Sequence, residues 1–291
     1  MLTAPTFDLQ AHSTASDGTL PPREVVARAA AAGVELLALT DHDTVDGVDE
    51  ALEGAETHGI ALVPAIELSS LDADGLDLHI LGYGIDHRHP ALRDALERFR
   101  DDRARRADRM ADALEAEGFA LDRTELDARR AQGSPIGRPH LAQAAYVHPA
   151  NAARLEREGL ADFGALLEAY LIEGRPAFRS RTMPTVAEAV ETIHAAGGVA
   201  IWAHPFWDLE ADTAVIGTID RFRTLGIDGV EAFYITHTRE QTLLLADACA
   251  ERGLLTTGSA DFHGPDHPRF HAFRAFDLCG REPDLGQIAH G

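Results

Sequence analysis

The chain has 291 residues, 45% of them hydrophobic, and a formal net charge of −22 at pH 7. This length can bury a large core in one catalytic domain with an insertion, and the negative charge disfavours binding to long duplex nucleic acid. The first residues lack an export signal, and no run approaches the roughly 18 apolar residues that span a bilayer. Only two cysteines occur, which is typical of a reducing compartment. We therefore expect a soluble cytoplasmic protein without a membrane partner.

Short apolar runs alternate with helical patterns in the first part of the chain. They predict four strands, at residues 6–9, 36–39, 61–66 and 77–83. Helices are predicted between the first three of them, at residues 22–32 and 49–58. This alternation is typical of parallel strands joined by crossover helices.

The strand-like runs disappear between residues 90 and 175. Apolar residues recur there at helical spacing, with many charged residues between them. We therefore predict a helical insertion over residues 90–175 that covers the active site. The catalytic barrel is predicted to comprise residues 1–89 and 176–291.

The alternation resumes after the insertion. Thr185 and Glu188 predict a capping box for a helix that runs to about residue 196. Three further strands are predicted at residues 199–202, 229–232 and 255–257, with helices at 212–225 and 238–252. Seven strands, mostly parallel, predict an α/β fold with a barrel.

Histidine and carboxylate residues follow nearly every predicted strand. In chain order these polar residues are Asp8, Gln10, His12, Asp41, His42, Asp43, Glu67, His79, His204, Asp261 and His263, of which His79 lies within the fourth strand. The carboxyl ends of parallel strands converge on one site in α/β folds. Imidazole and carboxylate ligands without cysteine suit Mn²⁺, Zn²⁺ or Fe²⁺, and bridging carboxylates allow several ions to lie together. The pattern indicates multinuclear metal-dependent hydrolysis.

Five segments in the same order resemble the motifs of the PHP family, named for polymerase and histidinol phosphatase. They are DLQAHSTASDGTL at residues 8–20, LALTDHDTVDG at 37–47, AIELSS at 65–70, WAHP at 202–205 and SADFHG at 259–264. The resemblance implies a distorted seven-stranded βα barrel that holds two or three divalent ions. Mn²⁺ is the preferred ion, with Zn²⁺, Fe²⁺ and Mg²⁺ as alternatives.

The resemblance also implies how the ligands are grouped. One ion would be held by His12, Glu67 and Asp261, a second by Glu67, His79 and His204, and a third by Asp17, His42 and His263. Glu67 would bridge two ions.

The first motif departs from the family pattern. The family usually begins this motif with a His-x-His pair, whereas this chain has Gln10, Ala11 and His12. The carbonyl oxygen of Gln10 is one candidate ligand, and loss or loose binding of the first ion is the alternative. Asp8 is either a further ligand or a partner that orients one.

Metal ions lower the pKa of bound water and neutralise charge on the phosphoryl group. We expect Asp261 to accept the proton of the attacking water, beside the bridging Glu67, and His237 or an ion to assist the leaving alkoxide. The residues expected to bind the substrate phosphate are Arg138, His140 and Arg179.

The resemblance implies a metal-dependent phosphoesterase. Members of this length with a helical insertion act on nucleotides, which implies a 3′,5′-nucleotide bisphosphate or a short 5′-phosphorylated oligonucleotide as substrate. Histidinol-phosphate phosphatase activity is the alternative reaction. A non-catalytic PHP module that binds a ligand is an alternative of another class. Base preference and oligomeric state stay open at this point.

Overall fold

The computed structural model describes residues 5–131, 136–180, 182 and 184–290. The chain divides into two compact units, one formed by Met1–Leu96 with Pro184–Gly291 and the other by Glu97–Met183. The first unit therefore extends beyond residue 89, because the first turns of the long helix Pro90–Ala116 belong to it.

The first unit contains a seven-stranded sheet whose strands follow chain order. They are β1 (Phe7–Asp8), β2 (Leu36–Leu39), β3 (Ala61–Leu71), β4 (Asp77–Tyr83), β5 (Val199–Trp202), β6 (Gly229–Tyr234) and β7 (Leu255–Ser259). Neighbouring strands are parallel except for β3 with β4 and β4 with β5. The amide of Leu9 donates to the carbonyl of Gly258 at 3.1 Å and thereby links the two ends of the sheet. The prediction of an α/β barrel is confirmed.

Strand β3 is longer than the apolar run at residues 61–66 predicts. Its first part, Ala61 to Pro64, pairs with β2 in parallel register, and the part from Ala65 to Leu71 pairs with β4 in antiparallel register. The antiparallel partner supplies main-chain hydrogen bonds beyond the apolar run. Glu67 consequently lies inside the strand, and the prediction that it follows the end of the strand is wrong.

The helices of the first unit match the predicted positions to within about one residue, except for the short helix Pro205–Asp208, which has no counterpart among the predicted helices. They are α1 (Pro22–Ala31), α2 (Val48–His58), α8 (Val186–Ala195), α9 (Pro205–Asp208), α10 (Asp212–Thr224) and α11 (Arg239–Arg252). The predicted capping box is present, because Thr185 N donates to Glu188 Oε2 at 2.8 Å and Glu188 N donates to Thr185 Oγ1 at 3.3 Å. These caps and the flanking glycines define the helix ends in the sequence itself.

The second unit is helical, as its sequence predicts. Its elements are α3 (Pro90–Ala116, from Glu97 onward), α4 (Thr124–Ala131), α5 (Arg138–Tyr146), α6 (Ala152–Glu158) and α7 (Phe163–Tyr170), with a 3-10 turn at Pro149–Asn151. Leu114, Leu126, Leu141 and Leu166 are buried in its apolar core. None of the helices within the described ranges is long and apolar enough to cross a membrane.

Candidate metal centre

Main-chain contacts bring the loops after separate strands together. His12 N donates to Phe262 O at 2.8 Å, which joins the segment after β1 to the segment after β7. Asp43 N donates to Glu67 O at 2.8 Å, so the loop after β2 lies beside the middle of β3. These pairings place the predicted ligands in one region, because their side chains start from neighbouring main-chain segments.

Three non-glycine residues of this region have left-handed backbone conformations. The φ angles are 55° for Asp43, 30° for His204 and 54° for Asp261. Such conformations are costly for side chains larger than glycine and are frequent at functional sites. The backbone is therefore locally strained at His204 and Asp261, which are two of the predicted ligands.

His12 lies between two buried carboxylates. Its Nε2 atom is 3.1 Å from Glu67 Oε2 and 3.1 Å from Asp261 Oδ1. The side chains of His12 and Glu67 have no solvent exposure. These three residues are the first of the ligand sets implied by the family resemblance.

The second oxygen of Glu67 faces two further histidines. Glu67 Oε1 lies 2.6 Å from His79 Nδ1 and 3.4 Å from His204 Nε2. His79, which is in the interior of β4, therefore points to the same carboxylate as His204, which follows β5. Glu67 is the residue that the first two sets share.

The third set gathers around Asp17, whose side chain is 55% exposed. Asp17 Oδ1 lies 3.6 Å from His263 Nε2, and Asp17 Oδ2 lies 3.7 Å from His42 Nε2. The ligand atoms of His12, Asp17, His42 and His263 lie within 4.8 Å of one another, and so do those of His42, Glu67 and His79. The eight predicted ligands thus lie close together, and their assignment to individual ions stays a prediction.

The cluster fits divalent cations. Several buried atoms have no hydrogen-bond partner among the described residues: both ring nitrogens of His12, Nδ1 of His42, His79 and His204, and Asp261 Oδ1. His12 Nε2 and His79 Nδ1 lie 3.1 and 2.6 Å from carboxylate oxygens but without hydrogen-bond geometry. A buried polar atom without a hydrogen bond costs about 1–3 kcal/mol. Cations bound by these nitrogen and oxygen donors would remove that cost, and the donor set suits Mn²⁺, Zn²⁺ or Fe²⁺.

The charges of the cluster support the same conclusion. Burial opposes ionisation of Glu67, but His42 and His79 hold the pKa of its carboxyl well below the usual range. Burial by itself lowers the pKa of His204, because it opposes the charged form of the ring. The neighbouring Glu67 outweighs this effect and raises the pKa of His204 to about 9. The buried carboxylates therefore attract positive charge, which a divalent ion would supply.

Gln10 is oriented as a donor to Glu67. Gln10 Nε2 lies 2.8 Å from Glu67 Oε2, and Gln10 Oε1 lies 3.3 Å from Ser259 Oγ. An ionised carboxylate only accepts hydrogen bonds, so the amide nitrogen must face Glu67. The carbonyl oxygen proposed as a ligand points towards Ser259 instead.

Asp8 is also engaged by other groups. Its Oδ1 accepts from Ala260 N at 2.9 Å and its Oδ2 accepts from Arg274 N at 2.7 Å. Burial raises the pKa of Asp8 to about 7. Both oxygens tie the start of the barrel to its last segments, which is the contact pattern of a supporting residue. The alternative role of Asp8 as a ligand stays a prediction.

Tyr234 is a site residue that sequence reasoning missed. Its hydroxyl donates to Asp261 Oδ2 at 2.7 Å, which leaves Oδ1 facing His12. The ring also packs 5.2 Å from the ring of His204, measured between centroids. The sequence offers only an aromatic residue near the end of an apolar strand, which is ordinarily a core residue.

Asp41 and Glu231 support the ligands through loops and main chain. Asp41 accepts hydrogen bonds from Ser13 N, Ser13 Oγ and Ser16 Oγ, each at 2.7 Å, and so fixes the loop that carries Asp17. Glu231 accepts from His204 N at 3.0 Å and from Ser259 Oγ at 2.6 Å. For Glu231, the sequence offers one signal, which is a glutamate inside the otherwise apolar strand β6.

His237 lies near this region but contacts other groups. Its Nδ1 is 3.1 Å from Ala232 O, and its ring packs against Tyr234 and Phe206. Burial lowers the pKa of His237 to about 4, so the ring is neutral near pH 7. Because Nδ1 carries the proton donated to Ala232, Nε2 is an acceptor, which does not favour the predicted role as an acid.

The residues predicted to bind phosphate belong to the second unit. Arg138 begins α5, and His140 Nδ1 accepts from Gly137 N at 2.9 Å in the same turn. Arg179 donates through Nη1 to the carbonyl of Phe178 at 2.7 Å. Their role in substrate binding stays a prediction.

Known proteins resemble this chain over most of its length. Residues 8–92 match the family model described as PHP domain. A 5′-3′ exoribonuclease of Haemophilus influenzae is 36% identical over 89% of this chain and 90% of that protein. A 3′,5′-nucleoside bisphosphate phosphatase of Chromobacterium violaceum is 34% identical over 89% of this chain and 87% of that protein. A structure from Bifidobacterium adolescentis, provisionally described as a metal-dependent phosphoesterase, has a TM-score of 0.71 and 27% identity, covering 96% of this chain and all of that one.

Proposed function

This chain belongs to the PHP family of phosphoesterases, and we propose that it hydrolyses phosphate esters of nucleotides with the help of two or three divalent ions. The substrates in this proposal are a 3′,5′-nucleotide bisphosphate or a short 5′-phosphorylated oligonucleotide. Two relatives named for these substrate classes cover most of the chain, which supports the proposal.

The observation that carries the proposal is the environment of Glu67. One of its oxygens is beside His12 and the other is beside both His79 and His204. A carboxylate with imidazoles on both oxygens is suited to bridging two cations. In the proposal, the ions are held by these residues together with Asp261, Asp17, His42 and His263. Mn²⁺ is the ion we favour.

Bound divalent ions would supply positive charge to the phosphoryl oxygens and lower the pKa of a water molecule. Asp261 Oδ1 would accept a proton from that water, since Tyr234 occupies the other carboxylate oxygen. Burial opposes ionisation of Asp261, but the adjacent His12 keeps its pKa below the usual range, so the carboxylate is unprotonated near pH 7 and can act as a weak base.

Phosphate binding is assigned in this proposal to Arg138, His140 and Arg179. Arginine pairs with phosphate through two parallel hydrogen bonds, and the ring of His140 accepts a hydrogen bond from Gly137 N through Nδ1, which leaves Nε2 available to donate. The overall charge of −22 favours a short substrate, because only local cations must overcome the surrounding field.

A phosphate-release assay tests the proposal. Protein purified without chelator and supplied with Mn²⁺ is given adenosine 3′,5′-bisphosphate, short 5′-phosphorylated RNA and histidinol phosphate in parallel, with Glu67→Gln as the inactive control. We expect phosphate or mononucleotide from the nucleotide substrates. Preferential turnover of histidinol phosphate would support the alternative phosphatase, and no turnover with less than about one ion per chain would support the non-catalytic module.

A further inference from the structure

A tryptophan is exposed directly beside the candidate metal centre. Trp207 lies on the short helix α9, three residues after His204, and is 51% exposed. Its ring centroid is 6.4 Å from that of His204. Exposure of a large aromatic ring to water is unfavourable, and a bound ligand can cover the ring. An exposed ring beside the candidate metal centre is therefore a candidate for ligand contact.

Two more rings adjoin this tryptophan. The centroid of Phe270 is 5.9 Å from that of Trp207 and 5.5 Å from that of His263. His267 stacks on Phe270 at 5.0 Å with an interplanar angle of 19°. We refer to Trp207, Phe270 and His267 as the aromatic platform, and it contacts candidate ligands through His204 and His263.

The platform also has a positive charge. The guanidinium carbon of Arg269 lies 5.4 Å from the ring centroid of Trp207 and 5.9 Å from that of Phe270. A guanidinium at these distances is held by the aromatic faces and stacks on planar groups. The same charge disfavours a cationic amine such as the amino group of histidinol, whereas it is compatible with a neutral heterocycle joined to phosphate.

We propose that the aromatic platform binds the nucleobase of the substrate while the phosphate of the same nucleotide faces the histidine and carboxylate cluster. This inference rests on the proposed function and specifies its substrate class as nucleotides rather than sugar phosphates. Stacking of a base on an aromatic side chain contributes about 1–3 kcal/mol and tolerates every base, since each has a π face. The platform therefore gives a preference for a base over no base, with little selection among bases.

The two tryptophans of the chain provide the measurement. Trp202 is fully buried and Trp207 is half exposed, so a ligand that stacks on Trp207 alters the fluorescence of that residue selectively. Zn²⁺-loaded protein is titrated with adenosine 5′-monophosphate, ribose 5-phosphate and inorganic phosphate. We expect a fluorescence change with the nucleotide that the other two ligands do not produce, and that Trp207→Phe abolishes.

Calorimetric titration with adenosine 5′-monophosphate then measures the contribution of the ring. Trp207→Ala is expected to weaken the nucleotide Kd about 10- to 100-fold while ribose 5-phosphate binding changes less than about threefold. Trp207→Phe should retain most of the affinity, because an aromatic face remains. Leu225→Ala, at an exposed position after α10, is the control and should leave both values unchanged.

The outcomes separate this inference from the proposed function. An unchanged nucleotide Kd in Trp207→Ala, or an equal loss for ribose 5-phosphate, would overturn the platform even if the enzyme hydrolyses nucleotides. Base-dependent binding through Trp207 without any nucleotide hydrolysis would instead uphold the platform and refute the proposed reaction. Circular dichroism of each variant confirms that the comparison is made between folded proteins.

Discussion

The side-chain amide of Gln10 donates a hydrogen bond of 2.8 Å to Glu67, the carboxylate at the centre of the candidate metal cluster. The same Glu67 oxygen lies 3.1 Å from His12 Nε2. The family usually has a histidine ligand at the position of Gln10. In this chain, Gln10 instead orients Glu67, which is a candidate ligand. This arrangement makes Gln10 a testable determinant of metal affinity in this chain.

Replacing Gln10 with alanine should weaken metal binding. Residues that orient metal ligands typically contribute about 10- to 100-fold in affinity, and the loss of the amide leaves Glu67 with one fewer restraint. Titration with Mn²⁺ by calorimetry provides the measurement, with Gln143→Ala in the helical unit as the control. Equal affinities for wild type and Gln10→Ala would mean that the amide has no part in orienting Glu67.

Glu67→Gln should abolish most of the activity and reduce the amount of bound metal. The change keeps the size of the buried side chain but replaces a charged bridging oxygen by an amide nitrogen, which cannot be a ligand. We expect kcat/KM to fall at least about 100-fold and metal content to fall below that of the wild type. Elemental analysis alongside kinetics checks this, and a fully loaded Glu67→Gln protein would contradict the bridging role.

Tyr234→Phe isolates the hydrogen bond to Asp261. Without the hydroxyl, Asp261 Oδ2 loses its 2.7 Å donor and the carboxylate can rotate away from His12. We expect kcat/KM to decrease about 10-fold, together with a loss of about 1–3 kcal/mol of folding stability because a buried acceptor is left unpaired.

Tyr83→Phe is the matched control for that variant. The Tyr83 hydroxyl is buried and donates to Leu9 O at 2.8 Å, which is a main-chain acceptor. Its removal should lower the free energy of unfolding by about 1–3 kcal/mol without a comparable change in metal affinity. If the two variants had the same kinetic effect, Tyr234 would be acting through general stability.

Asp41→Asn should loosen the loop that carries Asp17. Three donors from Ser13 and Ser16 converge on the Asp41 carboxylate, and an amide at this position cannot accept all of them. We expect loss of the ion associated with Asp17 while the ions around Glu67 remain. Metal content per chain measures this loss, and the exposed Asp46→Asn is the control.

Metal removal should destabilise the first unit. An ion that binds only the folded protein adds about 2.7 kcal/mol at a free concentration of 100 times its Kd. Differential scanning calorimetry with Mn²⁺ and after chelation should therefore show a lower Tm without metal. The second unit supplies the internal comparison, because the eight predicted ligands all lie in the first unit. A chelator that left every transition unchanged would favour the non-catalytic alternative.

The sequence by itself determined the elements of the barrel. The strands at residues 36–39, 77–83 and 199–202 are largely apolar runs with a polar residue or glycine next to at least one end, and helices such as α8 begin at a capping box that only a few residues define. These signals are local, so they can be interpreted without a tertiary structure. The candidate ligands could be named for the same reason, since they follow the apolar runs and form motifs of the family.

Only the tertiary structure decided how these side chains are oriented. Strand β3 continues to Leu71 because β4 pairs with it, and the amide of Gln10 faces Glu67 because an ionised carboxylate, more than 50 residues away in sequence, accepts its hydrogen bond. Tyr234 similarly gains its role from Asp261, which lies on another segment. Partners so distant in the chain leave no local pattern, since the contact exists only after the strands have closed into the barrel.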